Sequence, residues 1–350
     1  MLDAPNNADV PAPFHRDERR DPPQLLSPRR LHPVHDVLVL RPKREGGIEQ
    51  RGEPNCTQPL PLIFLEGLDV HTALLHGCVD EPKPVRHLMP MELRDTIVWV
   101  TGASDGIGRA LVAPLIQLGA RVVVTARRPA PLQALVAEFG AENVAAVPAD
   151  LMDTESLASL HERACEAFGP IDVLVNNAGR SQRAAAIDTP MDEVRGLMEL
   201  NFMVPVALTK FVMPGMVERG RGHIVVVSSV AGYVSTPQRS TYSASKFAVR
   251  GWFDSLRAEL HGTGVGVCVV VPGYIRTGIS RAAVGSEQRD QNRPDPVDNG
   301  LPPEHCAKVI VQAIARDRHE VHVGGKELAA IHLSRLVPGL VRRIAHKFAP

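Results

Sequence analysis

The sequence predicts a doubly wound α/β fold, a parallel sheet covered on both faces by helices. Three observations predict it. Short β-branched apolar runs recur along the chain, segments of helical character separate them, and a glycine-rich turn joins the first run to the helix that follows. The runs TIVWV, RVVVT, NVAAVP, IDVLVN, HIVVVSS and GVGVCVVV are nearly continuous in apolar residues and are bounded by Gly, Pro, Asp or Asn. Strands of that kind are buried on both faces, which requires a parallel sheet with covering helices. Regular alternation of strand and helix then gives a three-layer α/β/α, Rossmann-like arrangement. Pro114 falls well inside the first helix, where it removes a backbone hydrogen bond, so a bend is expected there.

Composition limits the function. Lys and Arg number 39 and Asp and Glu number 39, so no global field favours nucleic acid or an anionic membrane. The five cysteines, Cys56, Cys78, Cys165, Cys268 and Cys306, lack CxxC spacing, and neither a metal site nor a disulfide framework is indicated. A reduced, cytoplasmic compartment follows as the default. No stretch approaches the ~20 uninterrupted apolar residues of a spanning helix.

The chain divides into three parts. Residues 1–92 carry fourteen of the 30 prolines and little apolar periodicity, and are expected to be disordered. Met91, just before ELRDTIVWVTGAS, is an equally good place for translation to begin. Residues 93–325 form the catalytic domain, in which the polar stretch 278–302 is placed as a substrate lid. Residues 326–350 read as a basic amphipathic helical tail broken at Pro338. Two readings of that tail stay open: packing on the domain or another subunit, which is the commoner outcome, and peripheral contact with an anionic membrane.

The first strand runs into TGASDGIG, with glycines at Gly102, Gly106 and Gly108 and a helix opening near Ile107. Glycines allow a sharp turn and close approach to a pyrophosphate, whose charge rests on the unpaired N–H groups of a helix N-terminus. The spacing is GxxxGxG and not GxGxxG, so it is the position between strand and helix that carries the argument. About twenty residues on, where a carboxylate would bond the ribose 2′-hydroxyl of NAD, stand Ala126, Arg127 and Arg128. Guanidinium groups there favour a 2′-phosphate, hence NADP(H) over NAD(H), with a solvated arginine pair as the competing reading.

In STYSASKFAVRG, Tyr242 and Lys246 lie four residues apart and project from one helix face. An adjacent ammonium and an oxidised nicotinamide favour phenolate, so Tyr242 is read as general acid in carbonyl reduction and base in alcohol oxidation. Ser229, thirteen residues earlier at a strand end, is read as a donor to the substrate oxygen.

Taken together, TGASDGIG, Asp150-Leu151, NNAG at 176–179, Asn201 in MELNF, Ser229, YSASK and PGYIRT at 272–277 resemble the short-chain dehydrogenase/reductase family. Stretches such as SQRAAAIDT are most similar to the subgroup that includes dehydrogenase/reductase member 7, related to the 11β-hydroxysteroid dehydrogenases. The resemblance implies that Asp150 and Leu151 border the adenine, and that Asn177, Ala178 and Gly179 serve the sheet and adenosine ribose. Pro272, Gly273, Ile275 and Thr277 would border the nicotinamide, Lys246 would hold the nicotinamide ribose, and Asn201 would hold a water of a proton relay. Ser104 would join Arg127 and Arg128 at the 2′-phosphate, while Asp105 departs from the basic residue that NADP-preferring members often carry. The resemblance also implies a homodimer or homotetramer through the helices of Asn201 and Tyr242. The function expected is an NADP(H)-dependent oxidoreductase interconverting a small-molecule carbonyl and a secondary alcohol. The alternative is a non-catalytic dinucleotide-binding redox regulator. Apolar substrate contacts are expected from Val230, Val234 and Tyr274.

Overall fold

The computed structural model describes residues 91–285 and 295–347. The expectation of disorder before residue 91, and the middle of the expected lid, lie outside the described residues.

Seven strands form one parallel sheet among the described residues. They are β1 (Ile97–Thr101), β2 (Arg121–Thr125), β3 (Val144–Ala146), β4 (Val173–Asn176), β5 (Gly222–Val227), β6 (Val265–Pro272) and β7 (Glu320–Val323), in the order β3-β2-β1-β4-β5-β6-β7. Six are the runs read from the sequence. The seventh, EVHV, was not: it is four residues long, half polar and mostly half-buried at the sheet edge, so it carries no continuous apolar signal.

The helices are α1 (Gly106–Ala110), α2 (Val112–Gln117), α3 (Pro129–Phe139), α4 (Leu157–Phe168), α5 (Met191–Met198), α6 (Val204–Arg219), α7 (Ser240–Glu259), α8 (Pro303–Ala315), α9 (Ala329–Leu336) and α10 (Pro338–Ile344). Successive strand residues point to opposite faces and feed two cores. Val98, Val100, Val122 and Val124 pack with Leu111, Leu115, Leu132 and Ile310 on one face. Trp99, Leu174, Ile224 and Val267 pack with Leu208, Met216 and Phe253 on the other. The strand order reverses between β1 and β4, opening a crevice at the carboxyl ends of the strands.

Three local features refine the sequence reading. The first helix is interrupted at Leu111, between α1 and α2, three residues before Pro114. The C-terminal tail holds two short helices, α9 and α10, with the break at Pro338, which starts the second. Met191–Arg219 form a continuous helix of 29 residues with mean hydropathy 1.4 over its most apolar window. That is long and apolar enough to cross a membrane, which the sequence reading did not anticipate, since Lys210 breaks the run. In the fold, Leu197, Val204, Leu208, Val212 and Met216 of this helix are buried against the domain.

Candidate active site

Thr101 closes β1, and from there the chain makes three close approaches. Gly102 has φ +67°, and a Cβ there would stand 2.8 Å from the Ala178 Cα. Gly106 has φ +57°, and a Cβ would meet the Thr277 methyl at 2.8 Å. A Cβ on Gly108 would fall 2.4 Å from the Gly102 carbonyl. The glycines therefore let the turn fold on itself and contact the loops after β4 and β6 at once.

The loop after β4 is tied to the same strand end. Asn177 Nδ2 donates to the Thr101 and Gly102 carbonyls at 2.9 and 3.2 Å, and the Asn177 and Ala178 N–H groups both donate to Thr101 Oγ1 at 3.1 Å. A side chain on Gly179 would lie 3.0 Å from Asn201 Oδ1 and 3.7 Å from Lys246 Nζ. Asn201 sits in a π-helical turn, Glu199–Met203, that joins α5 to α6, where the extra residue swings its side chain inward. Its Oδ1 accepts from the Arg180 N–H at 2.9 Å, and its Nδ2 donates to the Arg180 carbonyl at 2.9 Å and to Ser245 Oγ at 3.0 Å. The buried amide thus clamps the loop after β4 to α7.

Ser229 follows β5 with extended backbone and caps the short turn Val230–Gly232, its Oγ accepting from the Ala231 N–H at 3.1 Å. That bond leaves the Ser229 O–H available to another acceptor. In the first turn of α7, Gln182 Oε1 accepts the Thr241 and Tyr242 N–H groups at 2.8 and 3.2 Å, which fixes the start of the helix that carries Tyr242. The Tyr242 ring is buried with Lys246 Nζ 5.9 Å from its centroid. Lys246 Nζ donates to the Val227 carbonyl at 2.8 Å, and its burial pulls the ammonium down to about 8.

These elements enclose a cavity of about 770 Å³. Among its lining are Gly102, Ser104, Asp105, Gly106, Ile107, Arg127, Arg128, Asp150, Leu151, Asn177, Ala178 and Gly179. Ser229, Tyr242, Lys246, Pro272, Gly273, Ile275 and Thr277 line it as well. Val230, Val234 and Tyr274 also face it. Two of the site residues read from the sequence do not line it: Gly108 lies beneath the turn and Asn201 behind Gly179. Arg127, Arg128 and Asp150 are exposed, whereas Asp105 turns toward Gly278, whose added Cβ would lie 2.6 Å from Oδ2. Among the described residues no group of three or more His, Cys, Asp or Glu side chains converges.

The sequence reading missed Arg239, which lines the cavity with its guanidinium 5.5 Å from the Tyr242 ring centroid, and Ser181 beside it. It also missed Glu327, whose Oε1 accepts from the Tyr274 N–H at 2.8 Å and so ties the tail to the loop after β6. Position gave a signal for Arg239, one turn ahead of Tyr242; nothing in the tail's pattern marked Glu327. The stretch expected to act as a lid is hydrogen-bonded to neighbouring loops where it is described. Arg183 N–H donates to the Val284 carbonyl at 2.7 Å, Val284 N–H to the Ser181 carbonyl at 2.9 Å, and Ile275 bridges to Leu301.

Comparison with known proteins agrees with this geometry. A family model described as short chain dehydrogenase matches residues 96–288. The chain is 38% identical to dehydrogenase/reductase SDR family member 7B of Danio rerio over 264 residues, 72% of this chain and 85% of that protein. It is 37% identical to dehydrogenase/reductase SDR family member 7 of Homo sapiens, over 66% of this chain and 71% of that one. Among solved structures, a short chain dehydrogenase/reductase from Burkholderia phymatum in complex with NAD superposes with TM-score 0.65 at 26% identity, covering 71% of this chain and 96% of that one. A metagenomic short-chain oxidoreductase in complex with NADP gives TM-score 0.56 at 30% identity, over 67% and 98%. A dinucleotide cradle that only glycine can line, a Tyr–Lys pair in the same cavity and these likenesses agree, and the chain belongs to the short-chain dehydrogenase/reductase family of oxidoreductases.

Proposed function

We propose that the protein interconverts a carbonyl and a secondary alcohol with NADP(H), and that Asn201, Ser229, Tyr242 and Lys246 carry the reaction. The observation that carries the reading is the Tyr242–Lys246 pair at the wall of a cavity that the glycine turn also lines. A Cβ at Gly102 or Gly106 would strike Ala178 or Thr277, so glycine lets the turn lie against those loops with its backbone N–H groups free to meet a pyrophosphate. When bound, the dinucleotide supplies the hydride donor or acceptor at its nicotinamide ring. Pro272, Gly273, Ile275 and Thr277 would flank that ring, and Asp150, Leu151 and Asn177 to Gly179 would receive the adenosine half. Arg127, Arg128 and Ser104 would receive a 2′-phosphate; with Asp105 turned toward Gly278, its carboxylate does not compete with the arginines for that role.

In the reducing direction the Tyr242 hydroxyl gives its proton to the substrate oxygen, and in the oxidising direction it takes that proton back. Lys246, charged below about pH 8, stabilises negative charge on the phenol oxygen. Ser229 donates its free O–H to the substrate oxygen and stabilises charge that develops there. The Asn201 side chain is committed to Arg180 and Ser245, so its part is to hold the loop beside Lys246, and any water it keeps would rest on its main chain. A redox regulator without turnover would have no need of Tyr242 in the cavity wall.

The same reading makes the protein a cytoplasmic homodimer or homotetramer joined through the helices of Asn201 and Tyr242, where Met203, Phe211 and Phe247 remain exposed. Leu333, Leu336, Val337 and Leu340 are exposed beside Arg335, Arg342 and Arg343, which favours peripheral membrane contact by the tail. Liposome flotation with and without residues 326–350 tests that contact.

The test of the function is a carbonyl and alcohol screen followed by NADPH absorbance, repeated with Tyr242→Phe. Loss of turnover with coenzyme binding kept supports the assignment. Retention of most of the rate defeats it.

A further inference from the structure

Arg239 lines the cavity beside Tyr242. Of the arginines near it, Arg180 pairs with Glu193 at 3.2 Å, and Arg183, behind the lining, pairs with Asp295 at 2.7 Å. Glu327 is taken up by the Tyr274 and Gly325 N–H groups. Arg239 has no carboxylate within ion-pair distance among the described residues; its contacts are one N–H to Ser181 Oγ and the face of the Tyr242 ring. Asp295 is within electrostatic reach of Arg239 but forms its 2.7 Å ion pair with Arg183. The Arg183 Nε–H, buried nearby, has no acceptor among the described residues. Among the described residues the half-buried Arg239 guanidinium therefore lines the cavity without an ion-pair partner, and drawing a guanidinium out of water is costly without a counter-charge.

We propose that the substrate is an oxo acid or hydroxy acid whose carboxylate is gripped by Arg239 while its carbonyl or alcohol carbon lies at Tyr242. The inference rests on the carbonyl–alcohol reading above and names its substrate class. A carboxylate fits better than a phosphate because Arg239 offers one cation here, while Lys246, the other cation beside Tyr242, is bonded to the Val227 carbonyl and assigned to the coenzyme ribose. The grip is a specificity contact and takes no part in hydride or proton transfer. With one guanidinium arm turned to Ser181, the remaining N–H groups are left for the carboxylate. The Arg239 guanidinium lies 5.5 Å from the Tyr242 ring centroid, so a carboxylate held there shares the cavity wall with Tyr242.

The test compares matched pairs, oxo acids of several chain lengths against their methyl esters, together with a phosphomonoester of a hydroxyketone, using NADPH oxidation as readout. The acids are expected to exceed their esters by about 10- to 100-fold in kcat/KM, mostly through KM, the range of a charge-assisted contact. In Arg239→Gln the acid-to-ester ratio falls to about one, and Arg239→Lys keeps part of it, while melting temperature and coenzyme affinity show that each variant is folded. Titration of the oxo acids into coenzyme-loaded protein by calorimetry gives the same comparison without turnover. Equal use of acid and ester by the wild type, an acid preference that survives in Arg239→Gln, preference for the phosphomonoester, or no binding of any acid would each overturn the proposal. Turnover of esters and neutral ketones alike, abolished by Tyr242→Phe, would sink the carboxylate grip and leave the hydride-transfer reading intact.

Discussion

The Arg183–Asp295 pair joins segments 112 residues apart and is almost wholly out of water, with the two side chains 2% and 4% exposed at a separation of 2.7 Å. Arg183 also donates to Ser280 at 3.1 Å, and Asp295 accepts the Val297 N–H at 3.0 Å, so one bond organises both described ends of the expected lid. Removing one partner of such a pair leaves an uncompensated buried charge and costs about 3 to 5 kcal/mol. Asp295→Leu, which strands the Arg183 guanidinium, is expected to lose that amount in denaturant unfolding, and Arg183→Met less, because Arg239 stays within electrostatic reach of Asp295. At about 2 to 4 °C per kcal/mol for a domain of this size, the melting temperature of Asp295→Leu falls by roughly 6 to 20 °C. The double variant Arg183→Met/Asp295→Leu leaves neither charge behind, and an apolar replacement of a buried pair is often neutral. It is therefore expected to be more stable than either single variant. An Asp295→Leu variant within about 1 kcal/mol of wild type, or a double variant that loses the sum of the two, would refute the reasoning.

Arg127→Gln and Arg128→Gln are expected to lower kcat/KM for NADPH by about 10- to 100-fold each while changing that for NADH little, measured as initial rates with both coenzymes. Lys246 has its folded pKa lowered from 10.5 to about 8. The ammonium is then lost as pH rises through that value, and kcat/KM for the coenzyme, which reports the free enzyme, should bend downward near pH 8. Between about 8 and 10.5 the unfolded chain binds the extra proton, so stability rises with pH across that window; Lys246→Met should remove this rise in urea titrations at several pH values.

Much of the coenzyme end was legible in the sequence because its demands are local and chemical. Gly102, Gly106 and Gly108 are needed by contacts within one turn and its neighbours, and Tyr242 and Lys246 meet because a helix brings residues four apart together. The substrate end was not legible. The Arg183–Asp295 pair and the Glu327 bond to Tyr274 join residues far apart in the chain, and no period or spacing records such pairings. Arg239 was overlooked for a related reason: a single arginine before a helix reads as a solvated charge until the fold shows what surrounds it. The π-turn at Asn201 and the edge strand β7 also escaped, since one extra helical residue and a four-residue half-polar strand leave little trace in a hydrophobic pattern.

The measurement that bears most directly on the whole account is a crystal structure with oxidised coenzyme bound. The account predicts the nicotinamide C4 facing the Tyr242 hydroxyl across the space of one substrate carbon, with Lys246 on the ribose. A phenol turned away from C4, or a coenzyme seated outside the cavity between the glycine turn and Tyr242, would contradict it.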